Sequence, residues 1–98
     1  MLSKEKILRT ITENRQKIKG YGVRRIGLFG SCLKGTLDEK SDIDLIVEFE
    51  NKTFDNYMDL KFFLEDLFKR KVDLVFIDTL KPRLKPYILE EAEYATGL

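Results

Sequence analysis

The sequence predicts an α+β fold (an α/β two-layer arrangement), a small mixed β-sheet with helices packed on it. Three observations predict it. Apolar residues recur at helical spacing in the first twenty residues and again between residues 55 and 70. Three short apolar runs, 23–29, 42–49 and 72–77, read as strands. The 98 residues, 43% apolar and 36% charged, suffice for one modest core, so residues 1–98 are expected to form one domain.

The elements follow in order. From Ser3 to about Lys19, Ile7, Leu8, Ile11 and Ile18 repeat at helical spacing, and Gly20 and Gly22 stop the helix. Val23 to Phe29 is a buried strand closed by Gly30-Ser31, and Cys32 to Ser41 is expected to be a short helical turn and a loop. Asp42 to Phe49 alternates: Ile43, Leu45, Val47 and Phe49 share one face, Asp42, Asp44, Ile46 and Glu48 the other. From Asp55 to Arg70, Tyr57, Leu60, Phe63, Leu64, Leu67 and Phe68 mark an amphipathic helix. Val72 to Ile77 is the third strand. Lys81 to Ala95 reads as a last helix, with Pro82 and Pro86 near its start where proline is tolerated. The expected order is α-β-(short α)-β-α-β-α.

Composition removes several function classes. The chain has no histidine, which rules out histidine triads, histidine general bases and the usual zinc sites. Eighteen basic and 17 acidic side chains leave a net charge of +1, so no overall field attracts nucleic acid, and direct nucleic-acid binding is not expected. The Lys81, Arg83, Lys85 cluster reads as a solvated helix face. The single cysteine, Cys32, cannot form an internal disulfide and suits a reducing compartment. No apolar run reaches the roughly 18 residues of a membrane span, and the N-terminal residues lack a signal peptide's apolar stretch. A cytoplasmic protein without a membrane partner is expected.

Three short motifs carry chemistry. Gly30-Ser31 follows a strand, where a glycine lets backbone approach a ligand and the next turn can aim N–H groups and a hydroxyl at phosphate oxygens. An ordinary strand-ending turn reads the same way. Asp42 and Asp44, two apart on a strand, point to one side with Cα atoms roughly 6.5–7 Å apart. Carboxylates so placed repel, and a hard divalent cation relieves the repulsion; the alternative is a solvated loop capped by Ser41. Asp73 interrupts an apolar strand and, if buried, needs a partner, either the same site or Lys71.

Together these motifs form Gly-Ser-x10-Asp-x-Asp followed by a strand aspartate, as GLFGSCLKGTLDEKSDIDLIVEFE and then KVDLVFID. The pattern resembles the minimal nucleotidyltransferase (MNT) family of the DNA polymerase beta-like superfamily, and the resemblance covers nearly the whole chain. It implies the polymerase beta-like nucleotidyltransferase fold. It also implies that Gly30 and Ser31 bind the triphosphate, that Asp42, Asp44 and Asp73 are the metal and catalytic residues, and that two Mg2+ ions assist with ATP as donor. One departure lies in the turn: many members carry arginine after the serine, where this chain has Cys32, while a basic residue before the next glycine is kept as Lys34. Lys34 is a candidate triphosphate contact, or else a solvated loop lysine, because lysine offers a point charge and not the two-pronged grip of arginine. Without histidine to activate it, Cys32 is read as a packing residue.

Stand-alone members of the family resemble antitoxins paired with a HEPN-domain ribonuclease toxin. The resemblance thus implies AMP transfer to a tyrosine of that toxin within a hetero-oligomer. Two other readings stay open: a non-catalytic antitoxin that neutralises by contact, and a transferase subunit acting on a small hydroxylated molecule. Phe62 falls off the main helical stripe and fits either a protein interface or the edge of a wide core face.

Overall fold

In the computed structural model, residues 2–30, 33, 36–37 and 41–95 are described. Six strands and four helices follow one another along these residues: β1 (Leu2–Ser3), α1 (Lys4–Glu13), α2 (Arg15–Gly20), β2 (Val23–Leu28), β3 (Thr36–Leu37), β4 (Ile43–Phe49), α3 (Phe54–Phe68), β5 (Val72–Phe76), α4 (Lys85–Glu91) and β6 (Glu93–Tyr94). A 3-10 turn at Ile77–Thr79 separates β5 from α4.

Four strands form a mixed sheet in the order β5-β4-β2-β6. β4 runs parallel to β5 and antiparallel to β2, and β6 lies antiparallel on the other side of β2. Residues opposite one another in register share a face of the sheet. Ile26 and Leu28, Ile43, Leu45 and Val47, and Val72 and Leu74 therefore point to one side. There they form one buried cluster with Ile7 and Ile11 of α1, Ile18 of α2, and Leu60 and Leu64 of α3. The other side carries Gly27, Asp44, Ile46, Glu48, Asp73 and Val75. The fold is the expected α+β arrangement, a small mixed sheet with helices packed on it, α1, α2 and α3 meeting on the apolar face.

Local chemistry sets the helix boundaries. The Ser3 hydroxyl accepts from Lys6 N–H at 3.2 Å and starts α1, and the Thr53 hydroxyl accepts from Asn56 N–H at 3.0 Å and starts α3. The single helix expected over Ser3–Lys19 is two. Asn14 ends the first because its amide Nδ2 donates to the Thr10 carbonyl at 2.8 Å, competing with the helix's own ladder.

The last helix is shorter than the expected Lys81–Ala95, because the backbone turns extended at Ala92 and enters β6. β6 registers Glu93 against Leu28 and Tyr94 against Gly27, and Ala95 N–H donates to the Ile26 carbonyl at 3.0 Å. A Cβ on Gly27 would lie 2.8 Å from Tyr94 Cδ1 and 2.9 Å from the Glu93 carbonyl oxygen, so only glycine admits the strand this closely. Lys4 Nζ donates to Glu93 Oε2 at 2.8 Å, and this bond raises the Lys4 ammonium above its ordinary pKa. The small β1–β3 pair, Leu2 opposite Leu37 and Ser3 opposite Thr36, was also not expected. The helical turn expected within residues 32–41 falls largely outside the described residues.

Candidate active site

β2 and β4 run in opposite directions, so the end of β2 lies beside the beginning of β4. The parallel pairing then brings the beginning of β5 to the same end of the sheet. Phe29 N–H donates to the Asp44 carbonyl at 3.2 Å, which carries the ladder to the last residue before Gly30. Gly30 then turns with φ +67°, a left-handed conformation open to glycine. A Cβ there would sit 3.2 Å from Asp44 Oδ2. The turn that sequence reasoning chose for phosphate thus passes directly over one of the three chosen aspartates.

Asp44 stands opposite Asp73 in the β4–β5 register. Neighbouring strands lie about 4.8 Å apart, so both carboxylates leave the same face side by side. Asp42 lies two residues before Asp44, one position ahead of β4. Asp42 and Asp73 are exposed and Asp44 is half-buried. The exposure of Asp73 corrects one premise: its carboxylate is not a buried charge in need of a partner. Among the described residues it makes no ion pair with Lys71 or any other side chain. Ser31 and Lys34, and with them Cys32, lie outside the described residues.

The candidate donors among the described residues here, Asp42, Asp44 and Asp73, offer carboxylate oxygens, which suits a hard cation. Among the described residues no three acidic side chains already converge tightly enough to enclose a metal ion. Mg2+ needs no such cage, because it takes one or two carboxylates and completes its shell with water and substrate phosphates. The donor set therefore fits that ion in the company of a nucleotide.

One contributor was not legible in the sequence. Arg70, in the link between α3 and β5, donates from Nη1 to the Ser41 carbonyl at 3.2 Å, across 29 positions of sequence. Its spacing marked it only as the last residue of a helix. Elsewhere, a cleft of ≈ 510 Å³ lined by Lys52, Thr53, Phe54, Tyr57 and Phe76 opens at the far ends of β4 and β5, away from the aspartates. Phe62 is 58% exposed, which takes it out of the core. Among the described residues no helix is long and apolar enough to cross a membrane.

Comparison with known proteins bears on the family and the fold. Residues 6–95 match the nucleotidyltransferase domain family. Protein adenylyltransferase MntA of Thermococcus cleftensis is 35% identical over 96 residues, covering 96% of this chain and 97% of that protein. A candidate protein adenylyltransferase of Methanocaldococcus jannaschii is 37% identical over 91 residues, covering 89% of this chain and 93% of the relative. Among solved structures, a candidate minimal nucleotidyltransferase superposes with a TM-score of 0.72 at 36% identity, over 88% of this chain and 93% of that one. The fold is also that of a chain in the tri-AMPylated Shewanella oneidensis HEPN toxin in complex with MNT antitoxin, with a TM-score of 0.63 at 19% identity over 93% of this chain and 73% of that one. With the family matched over nearly its whole length and the sheet built the same way, the chain belongs to the nucleotidyltransferase domain family and is a minimal nucleotidyltransferase.

Proposed function

We propose that this enzyme transfers AMP from Mg-ATP to a protein acceptor, a tyrosine of a HEPN-domain toxin, and thereby acts as its antitoxin. The observation that carries the reading is the pairing of Asp44 with Asp73 across β4 and β5, directly under the Gly30 turn. Two carboxylates on one face beside a left-handed glycine turn support the reading of a metal-nucleotide site. The acceptor is proposed from the protein adenylyltransferase relatives and from the likeness to the HEPN–MNT complex.

In this reading Gly30, Ser31 and Lys34 hold the triphosphate, and Asp42, Asp44 and Asp73 hold two divalent cations. Bound there, the cations would supply the charge neutralisation that in-line phosphoryl chemistry requires. The tyrosine oxygen attacks the α-phosphorus and forms the new P–O bond, while the bond from that phosphorus to the bridging oxygen breaks and pyrophosphate departs. Asp73 accepts the tyrosine proton. Its exposure leaves the carboxylate free to meet an incoming side chain. In this reading the toxin supplies the acceptor surface within a cytoplasmic hetero-oligomer.

The test is transfer of label from α-labelled ATP with Mg2+ to the HEPN protein encoded beside this chain. Label should appear on a toxin tyrosine and fall at least ~100-fold with Asp44→Asn, the scale on which mutation of a charge-stabilising group acts. Tight complex formation without transfer would overturn the enzymatic reading in favour of neutralisation by contact. Label confined to a small hydroxylated molecule would overturn the protein acceptor.

A further inference from the structure

We propose that Arg70 is a positioning residue for the carboxylate of Asp42, an inference that rests on the metal-assisted reading of the site. Asp42 stands just before β4, which begins at Ile43, so the regular ladder does not fix its own backbone. Two hydrogen bonds bracket it instead, and both come from the segment joining α3 to β5. On one side Arg70 Nη1 donates to the Ser41 carbonyl at 3.2 Å. On the other, Ile43 N–H donates to the Lys71 carbonyl at 3.0 Å.

The segment is itself firmly placed. Lys69 takes the left-handed conformation, φ 56° and ψ 37°, which ends α3 and swings Arg70 back towards β4. Val72 N–H then donates to Glu65 Oε2 at 3.1 Å, tying the start of β5 to the helix it has just left. Arg70 is half-buried while Asp42 is exposed. The anchored group is thus the guanidinium, and the carboxylate stays open to a ligand. A planar guanidinium holds a carbonyl in a fixed direction better than a mobile ammonium does. Arg70 bonds to the Ser41 carbonyl, a backbone group next to Asp42. It acts through the peptide that carries Asp42.

The experiment measures Mn2+ binding by electron paramagnetic resonance with a non-hydrolysable ATP analogue, together with the Mg2+ and ATP dependence of AMP transfer. For Arg70→Gln the metal midpoint should rise about tenfold at saturating nucleotide, on the order of 1.4 kcal/mol. The apparent KM for ATP at saturating metal should stay within about twofold, and Arg70→Lys should recover part of the metal affinity through an ammonium N–H. Loss of folded protein alone would lower the amplitude of binding and leave the midpoint in place. An unshifted midpoint in folded Arg70→Gln overturns the proposal, as does a folded Arg70→Lys no better than Arg70→Gln. If both variants fail to fold, Arg70 is a stability residue and the proposal is overturned. Should the parent protein bind no Mn2+ with nucleotide, it is the metal-assisted reading of the site that fails, a result separable from every outcome above.

Discussion

At Gly30 an added methyl group meets two separate obstacles. The backbone sits at φ +67°, where an L-residue is disfavoured, and the new Cβ would press to 3.2 Å from Asp44 Oδ2. Gly30→Ala should therefore destabilise the fold by about 1–2 kcal/mol, the usual scale of a left-handed penalty. It should also raise the KM for ATP by more than that stability loss explains, because the turn moves away from Asp44. Thermal melts read the first effect and steady-state kinetics the second. Asp42 and Asp44 could be read as a pair because alternation relates residues two apart on a strand, whereas Gly30 and Asp73 stood out through the motif they complete and the family it resembles. Arg70 was not legible, because it works through the Ser41 carbonyl, and no side-chain pattern announces a bond to a distant backbone oxygen.

Among the elements, α3 ends in a conformation that its own residue does not favour. Lys69 is the one non-glycine residue with positive φ among those described, and its ion pair with Asp66, at 3.2 Å, is between highly exposed side chains. Such pairs contribute ~0–1 kcal/mol, whereas the left-handed conformation costs roughly 1–2 kcal/mol in a residue bearing a Cβ. Lys69→Gly should thus stabilise the protein by about 0.5–1 kcal/mol in chemical denaturation while leaving AMP transfer unchanged. The same balance of local and distant forces explains which elements could be read in advance. β2, β4, α3 and β5 all appear within a residue or two of expectation, because each carries its own periodicity. β6 is two residues long, and its conformation comes from the vacant place opposite Gly27 and Leu28, so the residues 81–95 read as one helix. Asn14 likewise breaks its helix through a side-chain bond that periodicity does not register.

For the molecule as a whole, stability and site geometry depend on a single layer of contacts between three helices and one face of the sheet. Leu64 lies fully buried at the centre of that layer. Leu64→Ala should cost about 2–5 kcal/mol, a large part of the roughly 5–15 kcal/mol that holds a domain of this kind together. The loss should appear as a lower unfolding midpoint in urea with the denaturant slope unchanged. The acidic groups stand on the opposite face, so the nucleotide KM of the remaining folded protein should hold. The order in which the sheet is completed has a consequence of its own. β2 is made early, yet among the described residues its outer edge is closed by residues 93–95, which reach back to Ile26, Gly27 and Leu28. Until the ribosome has released those three residues, a nascent chain leaves a row of amides uncovered next to the Gly30 turn, an edge of the kind that templates pairing with another strand.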